Sequence, residues 1–276
     1  MAGYFALEPG DGPLTWHMPV APWQCVGGPG GFLFGGAGLG ACIGAVERSL
    51  GRATVWATSQ YLSYAPIGSR LDIAVSPLVD GRYTSQARAS AHVAGREVLG
   101  AALSLGVRPD GPRRQWIQPP EVPGPAECPV AAVGWNRAPD DLHTRIEVRV
   151  AKGWDFDRDA DGRAILWIRP TQDYPIDRPM LALMGDFVPT SIGNALAREQ
   201  RDLVVNSLDN CMRFLSLVET EWVLCDVALN GAADGFGHGR MHLFAQDGTL
   251  LAMASQSMVI RAAHAPRAHA RADTDV

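Results

Sequence analysis

Two hydrophobic periods alternate along this chain, and each change of period marks an element. Leu39, Ile43, Val46 and Leu50 recur at helical spacing, with Glu47 and Arg48 opposite, and Gly51 stands where a C-terminal glycine cap belongs. Gly35-Gly36 introduces this helix. Period-two runs follow at Thr54–Tyr64, Arg70–Leu78, Tyr83–Val93 and Glu97–Leu105, with tight turns at 79–82 and Ala94-Gly95. The first hundred residues thus read as one helix followed by an antiparallel meander. That order excludes a Rossmann-like alternation.

From Pro109 to Pro139 the pattern dissolves. Eight of the chain's twenty prolines fall there, which predicts a linker with little regular structure. Strand-like runs resume at Thr144–Val150 and Ala164–Ile168. Asp177 as N-cap and Pro179 in the first turn predict a second helix, with Met180, Leu181, Met184 and Val188 on its apolar side. Pro189 should end or kink it.

The stretch 206–261 carries the cleanest alternation. Val223, Cys225, Val227 and Leu229 share one face of a strand; Gly239, Met241, Leu243 and Ala245 share one face of the next. In the third run the apolar set is Leu250, Ala252, Ala254, Met258 and Ile260, and Gln256 interrupts it. The last two runs meet at Gln246-Asp247-Gly248-Thr249, a hairpin signal because Asp and Gly tolerate positive φ. A buried amide without a partner costs about 1–3 kcal/mol, so Gln256 needs one.

The organisation is a duplication: an N-terminal unit at 1–108, a Pro-rich linker at 109–139, a C-terminal unit at 140–262 and a tail at 263–276 with no apolar period, expected to be disordered. GREVLGAALSLG in the first half corresponds to DGTLLAMASQSM in the second, which sets Gln256 opposite Leu103. No carboxylate lies between Glu47 and Asp72, the region corresponding to Asp209. The two copies share a build and differ in chemistry.

Composition narrows the function classes. The chain has 276 residues, 47% apolar and 19% charged, which suits one large or two ordinary domains with a real core. A net charge of −5 gives no pull toward nucleic acid or anionic membrane. Five scattered cysteines without a CxxC pair suit reduced thiols in a cytoplasmic protein, and the opening residues show no basic n-region with an apolar core, so a secretory signal is not expected. The uncharged stretch 21–46 is too rich in glycine and proline for a membrane span. His238 and His242 sit on the polar face of a strand pattern and do not suggest a metal site; no GxSxG elbow, Walker loop or GxGxxG fingerprint is present.

Two constellations could carry chemistry. Asp209 could activate water as a general base while Gln256 holds the water or a substrate carbonyl; alternatively, the Asp makes a turn or cap and the Gln a cross-strand hydrogen bond. Gly35 and Gly36 could expose backbone N–H groups to an oxyanion at a helix start, or could serve backbone geometry alone.

Ser207-Leu208-Asp209, Glu221-Trp222, Gly235-Phe236 with Gly239, Gln246-Asp247-Gly248, Ala254-Ser255-Gln256 and Ile260-Arg261 together resemble acyl-CoA thioesterase II-type proteins, as does FGGAGLGACIGA in the first half. The resemblance covers about residues 10–262. It implies an α+β double hot-dog, in which two antiparallel sheets wrap two helices, and hydrolysis of fatty acyl-CoA without metal or other cofactor. It implies that Asp209 and Gln256 are catalytic, that Gly35 and Gly36 face the thioester oxygen, and that double hot-dogs pair as a homo-oligomer. One departure stands out. The family's hydroxyl residue after the Glu-Trp strand is missing from VLCDVALNGAADG, where Asn230 is the nearest polar replacement. That departure motivates one alternative, a non-catalytic acyl-CoA-binding hot-dog protein. A third reading, a hot-dog enoyl-CoA hydratase, ranks last because its chemistry needs an Asp-His pair on a short loop and none is found.

Overall fold

The computed structural model describes residues 3–28, 30–131, 140–153, 161–197 and 203–262. The first half runs β1 (Glu8–Pro9), β2 (Thr15–Pro19), β3 (Cys25–Val26), β4 (Phe32–Leu33), α1 (Gly35–Leu50), β5 (Thr54–Tyr61), β6 (Arg70–Asp80), β7 (Thr84–Val93) and β8 (Arg96–Gly106). The second runs β9 (Ile146–Lys152), β10 (Arg163–Pro170), α2 (Arg178–Met184), α3 (Val188–Leu196), β11 (Leu203–Ser207), β12 (Asp209–Phe214), β13 (Val223–Ala233), β14 (Phe236–Ala245) and β15 (Leu250–Ala262). The large sheet is antiparallel, in the order β1-β2-β6-β7-β8-β5-β12-β15-β14-β13-β10-β9, with β11 also paired to β15. The halves mirror one another about the β5–β12 junction, which runs from Trp56↔Arg213 to Gln60↔Asp209. This is the double hot-dog: one continuous sheet curved around a central pair of helices.

Glycine sets how closely those helices approach. Gly36, Gly40 and Gly44 lie four apart, so they share one face of α1. A Cβ on Gly40 would sit 2.6 Å from the Pro179 carbonyl oxygen, and one on Gly36 would sit 2.8 Å from that of Ala182. Backbone therefore packs on backbone, and residues 36–46 of α1 are buried on all sides. Gly51 caps the helix at φ +64°, in the left-handed region.

The second helix departs from its expected form. Asp177 does cap it, accepting from the Met180 N–H at 2.9 Å. The helix stops at Met184, and Pro189 lies in the first turn of α3 instead of ending α2. Proline fits there because a first-turn N–H has no intrahelical acceptor to lose. The break itself is Gly185-Asp186-Phe187.

The hairpin at Gln246–Thr249 also differs. Only Gly248 takes a positive φ, +86°; Asp247 instead accepts from the Thr249 N–H through its side chain at 2.9 Å. An irregularity follows, with Leu243 opposite Ala252 but Phe244 opposite Leu250. Leu250 therefore leaves the inner face and joins an outer cluster with Ile165, Trp167, Trp222, Leu224 and Phe244. The linker covers that cluster. Pro123 accepts from the Trp167 indole at 3.0 Å, Gln115 bridges Gly248 and Leu250, and Val122 and Cys128 pack on the apolar side chains. The segment is poor in regular structure, yet it roofs the outer face of the second half. Residues 132–139 of the linker and the tail at 263–276 lie outside the described residues.

Candidate active site

The break between α2 and α3 delivers Asp186 to the N-terminus of α1. Its Oδ2 accepts from the Gly36 N–H at 2.5 Å, and its Oδ1 accepts from the Gln256 side-chain amide and from the Ser207 hydroxyl at 3.3 Å. The residue is 1% exposed. Burial pushes its carboxyl from the ordinary 3.8 up to about 7, against the hydrogen bonds from Gln256, Gly36 and Ser207, which favour the charged form. The positive end of α1 acts in the same direction as those donors. A carboxyl balanced in this way exchanges a proton near neutral pH.

Glycine is again what permits the approach. A Cβ on Gly35 would stand 2.7 Å from Asp186 Oδ2 and 3.0 Å from the Tyr61 ring, and one on Gly36 would stand 2.7 Å from Asp186 Cβ. Around the carboxylate lie further buried polar groups. The Tyr61 hydroxyl, Asn210 Oδ1 and Gln256 Oε1 are buried without a hydrogen bond of full geometry. Burial and the Asp186 charge raise the Tyr61 phenol further above its usual range. Buried polar atoms are ordinarily satisfied, so three unsatisfied ones around a single carboxylate mark a place where a polar ligand group would be held.

Asp186 forms part of the wall of a pocket of about 390 Å³, whose apolar lining includes Phe32, Phe34, Tyr64, Leu142, Phe187 and Val205. Phe34 and Phe187 meet edge to face with centroids 5.7 Å apart. Such a chamber, largely apolar with Asp186 and Ser207 in its wall and Asp141, His143 and Thr190 also lining it, suits an apolar group carrying a reactive polar end.

The residues expected from sequence are only partly brought together. Gln256 is 3% exposed and stands in the cluster. Gly35 and Gly36 are there too, although the Gly36 N–H is engaged by Asp186. The Asp209 side chain faces the other side of the sheet. Residues 208–210 of the β11–β12 stretch oppose only residues 256–257 of β15, because Ser207 pairs with Met258 and Cys211 with Ser255. The extra residue is a bulge that reverses the alternation after Ser207. Asp209 Oδ1 accepts from the Ser257 N–H at 2.6 Å, and its side chain borders an outer depression with Thr58, Gln60 and Arg88. Its carbonyl oxygen lies 3.5 Å from the Gln256 amide nitrogen, so it contacts the cluster through backbone. Asn230 is exposed at the irregularity between Leu229 and Gly231, on a strand separated from β15 by β14. It does not join the cluster.

Asp186, Asn210 and Tyr61 were not singled out by the sequence, and Ser207 entered only as part of the Ser207-Leu208-Asp209 motif, with no role of its own. One signal was available for Asp186: it is the lone carboxylate in the apolar run from Met180 to Val188. A charge in such a run is seldom buried without partners.

Comparison with known proteins identifies the family. The description Acyl-CoA thioesterase N-terminal domain matches residues 20–106, and Acyl-CoA thioesterase C-terminal domain matches residues 118–260. No curated protein matches the chain. A crystal structure from Novosphingobium aromaticivorans, bearing a provisional thioesterase assignment, is 34% identical over 93% of this chain and 98% of its own, with a TM-score of 0.85. A hot-dog protein of unknown function from Alicyclobacillus acidocaldarius is 23% identical over 94% and 97%, with a TM-score of 0.81. Acyl-CoA thioesterase II TesB2 from Mycobacterium marinum is 21% identical over 93% and 96%, with a TM-score of 0.76. The last two likenesses speak for the fold alone. With both domain descriptions matched in order along one chain, this protein belongs to the acyl-CoA thioesterase family.

Proposed function

We propose that the protein hydrolyses the thioester of acyl-CoA, with Asp186 and Gln256 as the water-activating pair. One observation carries this: a carboxylate titrating near 7 is buried at a helix N-terminus, hydrogen-bonded to Gln256, in the wall of an apolar pocket. A general base works best when its pKa lies near the working pH.

The steps follow from the positions of these groups. The acyl chain fills the pocket and places the thioester carbonyl at Gly35-Gly36. The carbonyl oxygen takes the Gly36 N–H from Asp186 Oδ2, and the dipole of α1 favours the charge that develops there. Asp186 removes one proton from a water held by Gln256 as the oxygen attacks the carbonyl carbon. The tetrahedral intermediate collapses, the C–S bond breaks, and Asp186 returns the proton to the departing thiolate. Carboxylic acid and free thiol result, with atoms in balance. The Tyr61 hydroxyl, contributed by the first half, takes the place of the hydroxyl residue missing from β13 and donates to the intermediate. Asp209 is a positioning residue: by fixing the Ser257 N–H it sets the strand on which Gln256 stands.

The test is a panel of saturated acyl-CoAs and one trans-2-enoyl-CoA given to the purified protein. Thiol release from the saturated members is expected. Hydration of the enoyl compound without thiol release would overturn the reading in favour of a hydratase. Tight acyl-CoA binding with no turnover of any kind would leave a binding protein.

A further inference from the structure

The pocket that meets Asp186 has a second arm. A cleft of about 270 Å³ begins at Phe32, Gly35 and Ser207, which also line the apolar chamber, and passes between Tyr61–Tyr64 and the β11 edge to Val259 and Arg261. Its rim carries exposed apolar side chains of Leu62, Tyr64 and Leu208. Gln256 and Met258 are buried inside the sheet, and the alternation of β15 turns Val259 and Arg261 to the other side. The cleft therefore connects the reacting carboxylate with the outer surface.

Arg261 stands exposed at that outer end. Its guanidinium donates to the Asn206 side-chain oxygen at 3.2 Å and makes no ion pair among the described residues. Three arginines of the second half are held by carboxylates: Arg163 by Asp226, Arg169 by Glu147 and Glu221, and Arg149 by Glu147. A guanidinium lacking a carboxylate and hydrogen-bonded to a neutral amide keeps most of its donors for an incoming anion.

The span fits the thiol side of the substrate. Arg261 lies five residues beyond Gln256 on β15, about 17 Å at strand rise. From its sulfur to its first phosphorus, the pantetheine arm has roughly as many backbone bonds as four or five residues, and so reaches about 15 Å when extended. Resting on the reading of Asp186 as the hydrolytic base, we infer that this cleft holds the pantetheine arm and that Arg261 binds the phosphate of CoA, while the acyl group occupies the apolar chamber. The carrier is then recognised through its phosphate, on the opposite side of the sheet from the chemistry.

Calorimetric binding of free CoA and of pantetheine, which lacks the phosphates, tests this independently of turnover. The parent should bind CoA more tightly than pantetheine. Arg261→Ala should weaken CoA about ten-fold or more and leave pantetheine unchanged, and Arg261→Lys should keep part of the CoA affinity. Absence of CoA binding by the parent, equal CoA affinity in Arg261→Ala, or equal loss on both ligands would overturn the assignment. Thiol release measured alongside separates the two ideas. Hydrolysis unaffected by Arg261→Ala leaves Asp186 standing without the phosphate site. CoA binding through Arg261 with no hydrolysis leaves the site standing without the enzyme.

Discussion

Replacing Asp186 by Asn should make the protein more stable in alkaline solution while removing its base. The carboxyl titrates near 7 in the folded chain instead of 3.8, because burial opposes its charge. Each ten-fold change in proton affinity corresponds to about 1.4 kcal/mol, so carrying the charge above pH 7 costs the fold about 4 kcal/mol. The sign follows from proton binding. The folded state holds the proton more tightly than the unfolded state, so the stability contributed by the neutral acid is complete below about pH 4 and is lost as pH rises through about 7. An amide does not titrate and fits the same place, since rotating the Gln256 amide by a half turn lets its Oε1, now without a partner, accept from the new NH₂. The advantage of Asp186→Asn over the parent should be about 2 kcal/mol at pH 5.5 and about 4 kcal/mol at pH 8.5. Urea unfolding of both proteins at the two pH values reads this directly. A difference that is the same at both, or a variant less stable than the parent at pH 8.5, would refute the placement of a strained charge at Asp186.

Three other outcomes follow from the same geometry. The kcat/KM for an acyl-CoA should rise with pH through about 7 and level off above it, because the base acts only when unprotonated; a flat profile from pH 5.5 to 8.5 would contradict that. Tyr61→Phe removes a buried hydroxyl that lacks a full hydrogen bond, so denaturation should show a fold as stable or about 1 kcal/mol more stable, with turnover slowed; unchanged turnover would remove the phenol from the mechanism. Gly40→Ala forces a methyl group against the Pro179 carbonyl and the Phe5 ring and should destabilise by about 1–3 kcal/mol in thermal or urea unfolding, whereas no loss would mean that α1 and α2 are less tightly packed than described.

Much of the fold was legible because period and punctuation are local. Leu39, Ile43, Val46 and Leu50 specify one helix face, Gly51 its end, and the alternation from Val223 to Ala245 the inner faces of β13 and β14, with no knowledge of distant residues. The site was legible only in part. Gln256 stood out as a polar interruption of an apolar face, which is a local signal. The side on which Asp209 emerges depends on the one extra residue between Ser207 and Cys211, where register is set by pairing across to Met258 and Ser255. Single-sequence alternation carries no trace of that. Asp186 depends on an even longer relation, since the helix start against which it is buried is at Gly36, 150 positions away. Its own neighbourhood offers only a glycine, an apolar run and a nearby proline, and Pro189 drew attention to a helix end instead of to the carboxylate beside the break. The linker shows the same limit. Its prolines announce irregular backbone, but that it roofs Trp167 and Phe244 is a tertiary fact.

The central claim, that Asp186 and not Asp209 is the base, is tested most directly by thiol release from one acyl-CoA at pH 8, measured for the parent, Asp186→Asn and Asp209→Asn side by side. Removing a general base should cost about 10²-fold or more in kcat. Asp209→Asn retains an oxygen that can accept from the Ser257 N–H, so its rate should stay within several-fold of the parent. Full activity in Asp186→Asn together with collapse in Asp209→Asn would contradict the account and return the chemistry to the outer face of the sheet.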